Sequence, residues 1–185
     1  MGTENIIDEY LYAMREGGAR QYLFSVYFNF PSSIGILEDD MKKNIKYYVR
    51  TSSLPESTYE DIVIPYPGYS FKMAGNRTYA DWTVSLNVDK KNDVLKIFHD
   101  WHNMIYNPQE HTYSAPIQYM LNQNLWMLGP DLEPTSEYVL YAAWPKAIGN
   151  ITMDYSSTEL MSVDITFSYQ YYMRRDSTTD AKFMV

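Results

Sequence analysis

Histidines carry the chemistry most easily suspected in this chain. His99 and His102 stand three apart in KIFHDWHNMI, about one helical turn, a spacing that invites a metal reading. The H-E-x-x-H spacing and its glutamate base are missing, and the remaining histidine, His111, falls in a loop, so surface or boundary histidines are the simpler reading. A Ser–His–Asp set would lack the G-x-S-x-G frame that exposes a nucleophile. Gly75-Asn76-Arg77-Thr78 reads as a turn of the kind that could cradle a phosphate, but no Gly-Lys-Ser/Thr follows it. The acid pairs Asp39-Asp40 and Glu60-Asp61 sit beside turns, where solvated carboxylates belong. There is no cysteine, which removes disulfides, thiolate catalysis and thiolate zinc sites. No catalytic, metal or cofactor set assembles from these residues, and a non-enzymatic protein is expected.

Charge and composition narrow the classes further. At 185 residues the chain suits one domain with a real core, and 45% hydrophobic with 21% charged residues is ordinary for a globular protein. Its aromatic content is less ordinary: 19 Tyr, 7 Phe and 4 Trp suit half-buried strand faces and subunit contacts. The formal charge of −8 argues against a protein built to grip nucleic acid, which needs a lysine and arginine surplus to neutralise phosphates. MGTENIIDEYLY carries acids where a signal peptide needs bases, and no apolar run approaches a membrane span. A protein folded inside the cell, without membrane insertion, is expected.

The elements that must position these residues are mostly strands. Residues 3–16 predict a short helix with Thr3 as N-cap, its Ile7, Tyr10, Leu11 and Met14 on one face and Gly17-Gly18 ending it. Alternation predicts strands in QYLFSVYFNF, in Ile45–Thr51, and in 60–64 and 69–73 around a type II hairpin turn at Pro65-Tyr66-Pro67-Gly68. Trp82, Val84, Leu86 and Val88 point one way, and Asp89 is placed to cap a helix over Lys90–Ile105 whose stripe is Val94, Phe98, Trp101 and Ile105. Further strands are expected over Ile117–Met127 and Ser136–Trp144, then a turn at Pro145–Gly149 and alternation through Ile151, Met153 and Tyr155. The last strand sets Met161, Val163, Ile165, Phe167, Tyr169 and Tyr171 against Ser162, Asp164, Thr166, Ser168 and Gln170. The fold class is therefore mainly β: an antiparallel sandwich or barrel with one internal α-helix. Its organisation is a helical arm over 1–18, a β domain over 19–173 and a polar tail over 174–185.

One stretch carries more than periodicity. AGNRTYADWTVSLNVD, followed by a helix containing FHDW, resembles the tail tube proteins of contractile-tailed (myovirus-type) bacteriophages, with their G-[DN]-R-T-[FY]-x-D-W-T-V segment and F-x-D-W helix. Ala19-Arg20 with Leu23-Phe24 and Val26, then Thr51, Leu54 and Pro55, and later Trp144-Pro145, Gly149 and Asp154, extend the likeness over roughly 19–172. Arg50 departs from it, standing where that family more often has a small residue.

The resemblance implies a tail-tube fold that forms hexameric rings stacked into a hollow tube. It implies a place in the virion tail after assembly in the host cytoplasm, and partners in the tail sheath, baseplate and tail terminator. DNA would pass through the lumen without specific binding, and no cofactor is implied. Within that frame the interface candidates are Asn76, Arg77, Thr78 and Tyr79, read as an assembly loop with Arg77 pairing to a neighbour's carboxylate, the competing reading being an internal turn in which Arg77 satisfies its own subunit, together with Tyr66, Pro67 and Gly68 and the N-terminal helix. Lumen candidates are Asn150, Thr152, Asp154, Asp164, Thr166, Ser168 and Gln170, polar or acidic groups that leave phosphates solvated. The 31–44 and 107–116 loops look longer than that family requires, which keeps a tube-initiating or tube-capping baseplate protein as the alternative. A monomeric β-sandwich binding module with exposed Tyr and Trp is the rival from another class.

Overall fold

A computed structural model describes residues 4–15, 17–34 and 43–176. Thr3, Asp39-Asp40 and the tail beyond Asp176 lie outside these residues. In chain order the elements are α1 (Glu4–Ala13), β1 (Phe24–Tyr27), β2 (Val49–Ser52), β3 (Ser57–Tyr66), β4 (Tyr69–Tyr79) and β5 (Trp82–Asn87). Then come α2 (Asp93–Ile105), β6 (Tyr106–Asn107), β7 (Thr112–Tyr113), α3 (Pro116–Tyr119), β8 (Leu121–Leu128), β9 (Pro134–Ile148), β10 (Ser162–Ser168) and β11 (Tyr171–Asp176).

Seven of these strands form one antiparallel sheet, ordered β1-β8-β9-β10-β5-β2, with β11 also on β9. The long β9 serves both halves of it. Its Ser136–Tyr141 stretch pairs with β11, and Trp144–Ile148 pairs with β10. Between them Ala142 adopts φ 52°, and its N–H donates to Asn122 Oδ1 at 3.1 Å. That bend folds the sheet around a core of Trp82, Val84 and Leu86 from β5 and Val163, Ile165 and Phe167 from β10, all buried. The helix α2 lies on this core through Val94, Ile97, Phe98 and Trp101, with Trp101 5.9 Å and Phe98 6.2 Å from Phe167. The helix starts at Asp93 rather than Lys90 and its N-cap position is Asn92, at φ 58°, in place of the expected Asp89; Asp89 still accepts from the Val94 N–H at 3.0 Å.

Several expected strands are trimmed, each for want of a partner. QYLFSVYFNF pairs only over Phe24–Tyr27. At Asn29 both backbone groups bond instead to the buried Gln123 side chain, at 2.8 and 3.0 Å, and Phe28 and Phe30 turn onto Phe98. Ile45–Tyr48 is a 3-10 turn, because β5 leaves toward α2 just past Leu86, which pairs with Val49. Pro116 starts a helical turn over Pro116–Tyr119, so that strand begins at Leu121. The expected turn at Pro145–Gly149 is strand through Ile148, with Pro145 beside a register shift where a missing N–H is tolerated. The Ile151–Tyr155 alternation forms no strand: β10, its natural neighbour, already has β9 and β5 on its two edges. The final strand breaks at Tyr169-Gln170 and resumes as β11, which runs on to Asp176.

Candidate assembly surfaces

The turn expected at Gly75–Thr78 is instead the middle of β4, and the reason lies in Gly75. Across the hairpin Tyr59 faces Arg77 while Asp61 faces Ala74, so β4 carries one extra residue, a bulge opposite Glu60. A Cβ on Gly75 would sit 2.9 Å from the Glu60 carbonyl oxygen and 3.1 Å from Ile62 Cγ1, so only glycine lets the strands approach there. The reversal comes at Pro67-Gly68, with Gly68 at φ 88°, as a type II turn requires.

Arg77 is held within its own subunit. Its Nη2 donates to Ser57 Oγ at 2.8 Å, and the guanidinium carbon lies 5.0 Å from the Tyr79 ring centroid, 5.4 Å from Tyr172 and 5.7 Å from Tyr59. Tyr79, Tyr169 and Tyr172 pack edge to face below it, with Ser57 and Tyr172 hydroxyls 3.3 Å apart. Thr78 and Thr58 share a hydroxyl contact of 2.9 Å, and Asn76 is exposed at the bulge. These residues fasten the root of a ribbon whose strands pair only with each other.

Beyond that root the ribbon is amphipathic. Ile62 faces Met73, Ile64 faces Phe71 and Tyr66 faces Tyr69, which puts all of them on one side. They are 44–58% exposed, with none of the described residues covering them. The other side carries Asp61 and Lys72, bridged at 2.6 Å, with Val63 and Ser70. A second uncovered apolar stripe runs along α1, where Ile7, Tyr10, Leu11 and Met14 are 49–62% exposed. The hairpin stripe was legible as a period-two alternation through Ile62, Ile64 and Tyr66, a signal the turn reading of this region obscures.

A third surface is polar. On the outward side of β10, Asp164 stands beside Ser85 and Thr166 beside Thr83, whose hydroxyls are 3.3 Å apart; Thr51 and Asn87 extend the face. Ser168 continues it toward Trp144. Asn150, Thr152 and Asp154 are not on a strand. They and Asp164 line a cleft of about 630 Å³ formed with the 150–162 loop. There Asp154 accepts from the Ser156 N–H and hydroxyl at 2.9 and 2.8 Å, which holds its carboxyl below the usual range. Gln170 is apart, exposed at the β10–β11 break with its N–H on Tyr141 O. Among the described residues the sheet also keeps unpaired edges at β1, β2 and β11, and β1 and β2 border a cleft of about 740 Å³ lined by Phe24, Val26, Val49, Leu54, Leu125 and Met127.

A bent antiparallel sheet with one helix across it and an amphipathic ribbon projecting from it defines a class. The same fold occurs in the anti-feeding prophage baseplate (TM-score 0.63, 14% identity, 86% of this chain and 96% of the other). It occurs again in the PVC extracellular contractile injection system sheath–tube complex (TM-score 0.59, 17% identity, 95% and 99%). These likenesses show the fold. At the level of sequence, the phage tail tube protein family model matches residues 19–175, and the chain belongs to that family. It is 24% identical over 170 residues to tail tube protein gp19 of Enterobacteria phage T4, spanning 90% of this chain and 98% of that one. With the tail tube protein of Serratia phage KSP90 it shares 23% over 156 residues, covering 83% and 87%. It is a structural component of the virion tail, not an enzyme.

Proposed function

We propose that this chain forms hexameric rings that stack into the tube of a phage tail, and that the tube conducts DNA. The observation that carries this reading is the ribbon β3–β4, an apolar face held out from the core by a fastened root. A lone two-stranded ribbon is marginal in water, and an uncovered apolar face on one is the mark of a contact site. The open edges of β1 and β2 support the same reading: an unpaired edge invites strand pairing, and a ring of copies closes it. Stacking of one ring on the next joins two different surfaces, so it does not close and propagates as a filament. Asn76, Arg77, Thr78, Tyr79, Tyr66, Pro67 and Gly68 act here as parts of the stacking ribbon. In the isolated chain Arg77 rests on Ser57 and the tyrosine rings of its own subunit, and its exposed guanidinium would meet a neighbour's carboxylate at the stacking contact. The Ser/Thr/Asp face of β5 and β10 is the surface suited to a bore, since it carries hydroxyls and a carboxylate that leave phosphates in water.

The sheath, baseplate and terminator are the remaining partners. A baseplate or cap position is the second reading, favoured by the shared fold of the anti-feeding prophage baseplate and tube-terminating cap. Negative-stain microscopy of the purified chain over a concentration series tests the first reading. Rings or filaments of open-ended length are expected; rings that never stack would favour the cap, and a monomer at every concentration would overturn both.

A further inference from the structure

Two apolar faces of this chain have no cover among the described residues, and their dimensions agree. The hairpin face is three cross-strand pairs long, Ile62–Met73 to Tyr66–Tyr69, about 13 Å at a strand rise of about 3.3 Å per residue. The α1 stripe from Ile7 to Met14 spans about 10 Å at about 1.5 Å per residue. A helix laid on a sheet is one of the few layer pairings that bury both. We propose that, in the assembled state, the apolar face of the β3–β4 hairpin is covered by α1 of a second copy of this chain. The inference rests on the reading that the chain assembles with itself, and it names what each ribbon touches.

Self-association carries this choice of occupant over an unrelated protein. A stack that grows without limit needs two different, complementary patches on each subunit, and hairpin and helix are such a pair. Neither face covers the other within one chain, since Leu11 is 60% exposed and Tyr66 57%. The acids lie off these faces: Glu9 is on the far side of α1 beside Tyr12, with Asp8 on its flank, and the Asp61–Lys72 bridge is on the far side of the ribbon beside Val63. Covering both faces would bury on the order of 1,000 Å², near the low end for a specific interface. One such contact is weak alone and becomes firm when every copy in a ring makes it, through avidity.

The absence of native cysteine makes cross-linking a clean test. Full-length Leu11→Cys and Ile64→Cys variants are mixed, assembled and treated with a short bis-maleimide; Leu11→Cys mixed with Tyr113→Cys is the control. A heterodimer yield at least about tenfold above the control, seen only in assembled material, is expected from the high effective concentration of docked neighbours. Tyr10→Cys with Phe71→Cys repeats the test should the first pair disturb the contact. Particles that form normally with no excess cross-link in either pair overturn the inference and leave self-assembly standing. So does a cross-link confined to single chains of the Leu11→Cys/Ile64→Cys double variant, which would put the helix on its own hairpin. If the unsubstituted chain makes no particles at all, the inference falls together with the assembly reading.

Discussion

Arg77 is positioned by tyrosine faces and a serine hydroxyl rather than by an opposite charge, and the same cluster creates the one strongly shifted acid of the described residues. Tyr169 is 7% exposed, its hydroxyl 3.4 Å from the Glu56 carbonyl. Burial, and then the nearby Tyr172 and Asp81, push its pKa up from 10.0 to about 12. A buried phenol that resists ionisation holds on to its proton while the unfolded chain gives one up. Its contribution to stability is therefore complete below the unfolded value of 10.0 and drains away as pH rises toward the folded value of about 12. The loss is at most about 2–3 kcal/mol across that window, less to the extent that solvent reaches the ring. Unfolding by urea at a series of alkaline pH values, compared between the native chain and Tyr169→Phe, checks this. The native chain is expected to lose stability more steeply than the variant, the difference being this residue's share. Parallel slopes would mean that the cluster does not exclude water from the phenol.

At the scale of elements, the hairpin depends on a single missing side chain. Gly75→Ala places a Cβ 2.9 Å from a backbone oxygen of the facing strand, which has no rotamer to move. The bulge must open, at about 1–3 kcal/mol for an overpacked contact. Because β3 and β4 pair with no other strand, that loss stays in the ribbon. Amide exchange over 57–79 is expected to quicken while α2 and β10 keep their protection, and the concentration needed for assembly is expected to rise. Unchanged exchange in the ribbon would refute the close approach. This region also shows what the sequence could carry. Trp82, Val84 and Leu86, the helix stripe, and the Pro67-Gly68 reversal were all legible, since each is a local pattern with one physical solution. Gly75 was misread because a bulge glycine and a turn glycine look alike without the register of the opposite strand. Ile151–Tyr155 was misread because alternation says only that a segment would suit an edge, not that an edge is free. The surface residues divided likewise: Asp164, Thr166 and Ser168 share a strand face as their spacing implies, whereas Asn150, Thr152 and Asp154 reach the same region from a loop whose course no periodicity encodes.

For the whole molecule, the proposed DNA-conducting tube raises the question of which surface would line its bore. A bore that carries DNA past many rings cannot present lysine or arginine, because every added phosphate contact releases counterions and the gain multiplies along the tube. The face formed by Thr51, Ser85, Asp164, Thr83 and Thr166 satisfies that condition. Among the cations on neighbouring strands, Lys146 bridges Asp81 at 2.6 Å, and Arg50 is exposed at the irregularity in β2 between Val49 and Thr51. The hairpin and α1, by contrast, are apolar and suit contacts between copies. These assignments predict opposite behaviour for one kind of substitution. Asp164→Lys together with Thr166→Lys leaves the buried side of β10 unchanged, so folding and assembly are expected to persist. Each ring would then line its channel with positive charge. Assembled particles of this variant are expected to retain duplex DNA in co-sedimentation at low salt and to release it steeply as salt rises, while unsubstituted particles retain none. Particles that assemble with the lysines in place and still ignore DNA would mean that this face lies outside the bore, and the polar sheet would then have to be the surface turned toward the sheath.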